Sequence, residues 1–368
     1  MKTIHIDTER TWRGGEQQAM YLATGLHRRG VSVVVVGQPD RPFVQRGRAE
    51  GLEVAEIPMR GEADPVAVTR LAKLFLREKP DIIHMHTSHA HMLGVMAARL
   101  AGTGKTVVSR RVDFSIHRSR LRLNIFKYRF GVDRYIAISE GVRKVMVSDG
   151  IPAARIDIVP SGVDLAELEK TPCGDFAAEF KLPPGVPVVG DVAHFGWHKA
   201  QEVLVEACPR LWELVPDARV FLVGDGDCRA KVEMVAKETV GDDERLVFTG
   251  HRTDARALIR WFDVFVMCSV LEGLCTSILD AHWLGTPVVG SRVGGIPEIV
   301  IDGETGLSVP PRDPAALAEA IARMIREPEM ARGFNERARA LVEKRYSVDA
   351  MVEGTLNVYE RMLAGEAG

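Results

Sequence analysis

Glu272 and Asp280, with seven residues between them, flank the start of a segment of helical character, and Lys199 follows an earlier strand and turn. Both acids fall in the stretch Ser269–Glu298, SVLEGLCTSILDAHWLGTPVVGSRVGGIPE. The preceding residues, Asp263–Cys268, are a short apolar run of strand character, and Ser269 to Cys275 is a polar turn bearing a glycine. From Thr276 the apolar residues Ile278, Leu279, Ala281 and Leu284 recur at helical spacing as far as Gly285, and Pro287–Gly290 is a second buried strand. Strand, loop, helix and strand in this order make a unit of a parallel sheet, where ligands sit outside the carboxyl ends of the strands. Glu272, Gly273 and the amides opening the helix would line a crevice there. Free amides and the helix dipole favour an anion, typically phosphate. Lys199, after the turn His194-Phe195-Gly196-Trp197-His198, could set a cation against that anion and stabilise charge on a departing group. The plainer readings are a solvated lysine at a helix start and two acids that favour a helix dipole.

Other residues invite chemistry less strongly. His84 and His86 alternate on one strand and so share a face, with His89 and His91 close behind, but no supporting carboxylate accompanies them. A hydrogen-bonded His86 is the reading preferred to a metal site. Cys275 at a helix start could have a lowered thiol pKa, yet no histidine and acid motif accompanies it. Gly14-Gly15 lets backbone approach a ligand or simply makes a turn. No G-x-G-x-x-G follows the first strand and no Walker lysine appears, which argues against a nicotinamide enzyme and a P-loop nucleotidase.

The elements that must position these residues alternate strand and helix throughout. Strands are expected at Ile4–Ile6, Val31–Val36, Val54–Ile57, Asp81–His86, Lys105–Ser109, Tyr135–Ile138 and Ile156–Val159, with helices over Glu16–Arg29, Pro65–Arg77, 90–100 and 140–148. Periodicity fails between Leu165 and Pro187, which Pro172, Gly174, Pro183, Pro184 and Gly185 punctuate as a linker. A second series follows, with strands Val186–Val192, Arg219–Val223, Leu246–Phe248, Val264–Met267 and Val288–Gly290. Its helices are Gln201–Leu214, Arg229–Glu238, Asp254–Trp261, Thr276–Leu284, Pro314–Ile325 and Met330–Glu343. We therefore expect an α/β protein with two doubly wound parallel-sheet domains, 1–168 and 169–347, facing a central cleft, and a last helix within 348–368 that packs back on the first.

Composition narrows the class. The 368 residues are 46% hydrophobic and 27% charged with a net charge of -2, so nucleic acid is not an expected partner. Five cysteines without C-x-x-C spacing favour reduced thiols and a cytoplasmic setting. The N-terminus enters a strand-like run without a signal-peptide pattern, and no run approaches the roughly 18 apolar residues of a membrane span. Arg110 to Arg134 is strongly basic, with interleaved apolar residues. It could lie on an anionic membrane surface at the inner face, receive an anionic acceptor, or form an ordinary amphipathic helix.

Taken together, the motifs resemble those of family-4 retaining glycosyltransferases, which have the GT-B fold. The marker is Glu272, Asp280, Ala281 and then Gly285-Thr286-Pro287-Val288. Supporting segments run in order from Gly14-Gly15 through Ser139-Glu140, Ser161–Asp164, Val223-Gly224-Asp225-Gly226, Phe248–Gly250 and Gly294–Glu298 to Asp302–Gly306. The resemblance implies transfer of a sugar from a nucleotide sugar of UDP, GDP or ADP type, with retained anomeric configuration and no essential metal or other cofactor. It casts Lys199 as the phosphate lysine, with His194 near the position of a second basic group and His198 beside it. Glu272 would contact the transferred sugar and Asp280 the ribose, while Gly273, Leu274, Cys275 and Thr276 would hold the distal phosphate. Gly15 and Gly224 would border the donor, and His251-Arg252 would frame the base through backbone groups. On the acceptor side stand Trp12, His86, Arg110 and Arg111, with Asp113 as a proton-accepting candidate. Three positions depart from the family pattern: Asp280 stands for Glu, Cys275 for Gly, and Arg111 for His. The basic segment and cytoplasmic character point to a cell-envelope glycan or glycolipid such as lipopolysaccharide core as the acceptor. The rival readings are a nucleotide-sugar epimerase, a nucleotide-sugar-binding subunit without activity, and a basic membrane adaptor.

Overall fold

The structure, a computed structural model, describes residues 1–115, 131–174 and 176–365. The chain divides into two compact units, Met1–Gly162 with Val348–Gly368, and Val163–Ser347.

The first unit is a parallel sheet of β1 (Lys2–Ile6), β2 (Ser32–Gly37), β3 (Glu53–Glu56), β4 (Ile82–Met85), β5 (Lys105–Arg110), β6 (Arg134–Ala137) and β7 (Ile156–Ile158), in the order β3-β2-β1-β4-β5-β6-β7. The β-branched run of β2 is buried from Val33 to Val36, as a strand covered on both faces requires. Polar residues at the sheet-to-helix turns start the helices locally. Asp64 accepts from the amides of Val66 and Ala67, Thr87 from Ala90, and Ser139 from Val142. The strand order reverses between β1 and β4, where the register sets His5 beside His84.

Helix Val348–Ala364 belongs to this unit. Its Met351, Val352, Val358, Tyr359 and Met362 are buried in one cluster with Leu22, Leu26, Val33 and Ile136. It crosses helix Gly14–Arg28 so closely that a Cβ on Gly25 would lie 2.4 Å from Val352 Cγ2.

The second unit repeats the plan with β8 (Val188–Val192), β9 (Arg219–Val223), β10 (Leu246–Gly250), β11 (Val264–Met267), β12 (Val288–Ser291) and β13 (Leu307–Val309), ordered β10-β9-β8-β11-β12-β13. The order reverses between β8 and β11. Its core joins Val189, Leu204, Leu211, Val220, Val266 and Ile321. Trp212 closes one side, donating its indole N–H to Ala218 at 3.0 Å beneath the guanidinium of Arg245.

The structure adds elements that the sequence pattern did not reveal. Helix Pro42–Ala49 is short and largely polar, burying only Phe43, Val44 and Gly47, so its periodicity is weak. Strand β13 is three residues long. The stretch read as a linker contains helix Leu165–Glu169, capped by Asp164, and helix Phe176–Glu179. Most of the basic stretch, including Arg118, Arg120, Arg122, Lys127 and Arg129, lies outside the described residues. Arg134 at its end is no part of a solvated face. It is buried, donates to the Ala154 carbonyl and sits 3.8 Å from Asp157.

The Gly25 crossing has a measurable cost. Gly25→Val should destabilise the first unit by about 2 kcal/mol through overpacking against Val352. A lowered denaturant midpoint would register this, whereas an unchanged midpoint would mean that the two helices part at no cost.

Candidate active site

In the second unit the site grows from the loops on either side of the β8/β11 reversal. The loop after β8 carries Lys199 and the loop after β11 carries Glu272. The Lys199 ammonium donates to the Glu272 carboxylate, and the Ser269 hydroxyl donates to the same oxygen at 3.2 Å. Backbone bonds fix both loops: Val270 N–H donates to the His198 carbonyl at 2.8 Å and Gly295 N–H to the Glu272 carbonyl at 3.1 Å. Ser291 at the end of β12 donates to the Ser269 carbonyl. Lysine and glutamate side chains remain 15% and 13% exposed, so the pair is poised at a surface that a ligand can reach.

Asp191, near the end of β8, is fully buried and neither carboxylate oxygen has a hydrogen-bond partner. Burial raises its pKa to about 7; Lys199 offsets part of that and Glu272 adds to it. Burial alone would lower the Lys199 pKa, but the surrounding acidic groups, Cys275, Glu272 and Asp191, reverse the sign. The Cys275 thiol contributes no charge at neutral pH, because burial pushes it up to about 12. That value also removes the activated-thiol reading of Cys275.

Cys275 is the N-cap residue of helix Thr276–Leu284, and Gly285 ends the helix at φ 82°. Gly273, Leu274 and Cys275 are buried, while Thr276 and Ser277 are half-buried at the helix mouth. Asp280, one turn in, accepts from Arg256 Nε at 3.3 Å, and Arg256 also pairs with Glu167 at 2.6 Å. The other oxygen of Asp280 is buried without a partner, and burial raises its pKa to about 6 against the opposing pull of Arg256. The carboxylate expected to be free for a ribose is thus half engaged by arginine.

His194 and His198 flank the Lys199 turn. The half-buried His198 ring meets Trp197 edge-on, and burial lowers its pKa. Gly224 at φ 138° meets a packing demand, since a Cβ there would fall 1.9 Å from the Ala193 carbonyl oxygen. His251 is exposed. The Arg252 side chain is held by Glu179 at 2.5 Å and Asp254 at 2.7 Å, beside the rings of Phe176 and Phe180, leaving its backbone as the part able to face a base.

In the first unit a cavity of about 340 Å³ opens at the β1/β4 reversal, lined among others by Arg13, Gly15, Glu16, His86, Arg110 and Arg111. A Cβ on Gly14 or Gly15 would meet nothing within 4 Å, so packing does not require that glycine pair. Trp12 is half-buried against the core with Arg46 over its ring at 4.1 Å. Arg110 donates to the carbonyls of Val112 and Phe114, shaping the turn in which Asp113 is buried.

His84 and His86 do share a face, with ring centroids 4.2 Å apart, but their third partner is His5. His89 is exposed and His91 packs edge-on against Tyr135. His5 carries no signal of this role in the sequence, because only strand register, His5 beside His84, brings it there. The nitrogens of the three rings lie close enough to hold a metal ion, but every ring nitrogen already has a partner. His5 meets Thr3 and His86, His84 meets Tyr359 and Ser109, and His86 meets His5 and Arg111. A dication would displace these bonds and sit beside a guanidinium.

Residues 12–167 match the sequence profile of Glycosyltransferase Family 4, and residues 183–327 that of Glycosyl transferases group 1. The chain is 24% identical to the N-acetyl-alpha-D-glucosaminyl L-malate synthase of Bacillus anthracis, over 82% of this chain and 80% of that one. It is 27% identical to the lipopolysaccharide core biosynthesis glycosyltransferase LpsE of Rhizobium meliloti (strain 1021), over 94% and 95%. Among solved structures, Anabaena HepE in complex with UDP and glucose superposes with a TM-score of 0.84 at 20% identity, covering 98% of this chain and 99% of that one. The paired parallel-sheet units and this likeness define a GT-B fold. The chain belongs to the family-4, group 1 glycosyltransferases. No helix among the described residues is long and apolar enough to cross a membrane.

The buried Asp191 generates a pH prediction. Its folded pKa lies above the unfolded value of about 3.9, so the folded chain holds a proton that the unfolded chain has lost between those values. Its contribution therefore erodes stability as pH rises from about 4 to about 7. Asp191→Asn should remove a decline on the order of 3 kcal/mol. Denaturation of both proteins at pH 5 and pH 8 checks this; parallel pH profiles would count against it.

Proposed function

We propose that this chain transfers a sugar from a nucleotide-sugar donor to an acceptor hydroxyl with retention of anomeric configuration, in the synthesis of a cell-envelope glycolipid or polysaccharide. The observation that carries the reading is the Lys199–Glu272 pair at the β8/β11 reversal, beside the amides that open helix Thr276–Leu284. Family membership and relatives such as the lipopolysaccharide core enzyme support the envelope setting.

The second unit holds the donor. Lys199 and the amides at the helix mouth take the diphosphate, so that charge developing on the leaving group meets fixed donors. Glu272, displaced from its lysine by phosphate, turns to the sugar hydroxyls. The free oxygen of Asp280 takes a ribose hydroxyl while Arg256 fixes the other. Backbone groups of His251 and Arg252 border the base. The departing phosphate helps to deprotonate the acceptor hydroxyl on the face it leaves, which gives retention. Because Lys199 supplies the positive charge, no metal is needed.

The reading is tested first by whether a UDP-, GDP- or ADP-sugar raises the melting temperature, since a ligand of the folded state stabilises it by mass action. Lys199→Ala should weaken binding of both free nucleotide and sugar donor and lower the transfer rate roughly a hundredfold. Glu272→Gln should weaken the sugar donor roughly tenfold while leaving the free nucleoside diphosphate nearly unaffected, a loss of about 1.4 kcal/mol confined to the sugar. A chelator should leave transfer unchanged, and the product anomer should match the donor by NMR. Wild-type rates from Lys199→Ala, or an epimerised donor without acceptor, would refute the proposal.

A further inference from the structure

Arg111 occupies the wall of the first-unit cavity in an unusual electrostatic setting. Its guanidinium donates to the His86 carbonyl at 3.3 Å and to His86 Nδ1 at 3.2 Å, while Nε is buried without a partner. An arginine can only donate, so His86 Nδ1 accepts and His86 carries its proton on Nε2. That proton points to His5 Nδ1 at 3.0 Å, and His5 Nε2–H in turn points to Thr3 Oγ1 at 3.2 Å. The chain from Arg111 through His86 and His5 to Thr3 runs one way and requires both imidazoles to be neutral. Burial agrees, holding the His5 pKa down to about 3 and that of His86 well below its usual value.

The chain therefore fixes the guanidinium in place without neutralising it. Asp7 and Glu16 act on Arg111 through space, but no described carboxylate comes within ion-pair distance of it. One Asp7 oxygen is itself buried without a partner, and burial raises the Asp7 pKa to about 7, so this acid is partly protonated near neutrality. A half-buried cation whose buried Nε has no partner and that faces no close anion is costly, and a ligand anion would offset that cost. The cavity, at about 340 Å³, takes a small group rather than a long glycan stretch.

We propose that Arg111, oriented by His86 and His5, is the anion-binding group of the acceptor pocket, and that the acceptor carries a phosphate or carboxylate close to the hydroxyl it offers. The assignment to the acceptor rests on the transferase reading above; the anion site itself does not. A soluble polyol phosphate and a phospholipid headgroup share this chemistry.

Thermal-shift titrations of the full chain with inorganic phosphate and with succinate test the site, with chloride matching ionic strength and glycerol as the uncharged control. Wild type should show saturable protection by at least one anion and none by glycerol. Arg111→Met should weaken that protection at least tenfold and Arg111→Lys should fall between them, with UDP binding unchanged in both. Protection should survive Lys199→Ala, which separates this site from the diphosphate site. In the unmutated chain, phosphate should slow phenylglyoxal modification of Arg111, read by peptide mass spectrometry, so the test does not depend on the variants folding. Glycerol 3-phosphate and vesicles of phosphatidylglycerol in phosphatidylcholine then distinguish a soluble acceptor from a lipid headgroup. Absent or unsaturable protection, or equal protection in Arg111→Met, overturns the proposal. Failure of every nucleotide sugar to bind, with anion protection intact, would overturn the transferase reading and leave the anion site standing.

Discussion

A parallel sheet built outward from its middle must reverse its strand order once, and the loops on either side of that reversal part. This constraint acts twice in the chain, between β1 and β4 and again between β8 and β11. Candidate chemistry gathers at both places. The second unit spans its gap with a direct ion pair, Lys199 to Glu272. The first spans it with neutral imidazoles that lead to Arg111. One charge is balanced within its own unit, and the other is positioned without a close counter-ion.

These solutions differ in what an incoming anion must do. At Lys199 it would have to share the ammonium with a carboxylate already in place, an exchange that would free Glu272. At Arg111 it would meet no such carboxylate. Both units also keep a buried acid close to the charged site, Asp191 in one and Asp7 in the other, and burial raises each pKa to about 7. Perturbed acids of this kind concentrate where a fold accepts local instability for the sake of a site.

What the sequence disclosed was local. The helix opening at Thr276, its stop at Gly285 and the acid on either side of its start are encoded within a few residues, and the structure places them at a strand end. The alternating His84 and His86 were legible for the same reason. Long-range pairing was not legible. His5 reaches His86 across 81 positions, Arg256 reaches Asp280 across 24, and Arg46 covers Trp12 from helix Pro42–Ala49. Each of these pairings alters how a candidate residue can act. The engagement of the Arg252 side chain by Asp254, two residues on, is local by contrast, and it leaves the backbone role read for that loop untouched. Short elements such as β13 and helix Pro42–Ala49 carry too few turns or alternations for a pattern to emerge.

The place of helix Val348–Ala364 in the first unit bears on how the chain matures. Residues 163–347 form a continuous stretch and contain all six strands of their sheet. The first unit, by contrast, lacks Val352 and Tyr359 from its core until the whole of the second has been synthesised. Translation therefore completes the inner unit before the outer one, opposite to the usual order in which N-terminal domains fold first. A nascent chain carries its earliest sheet with one flank uncovered for the time needed to make about half the protein.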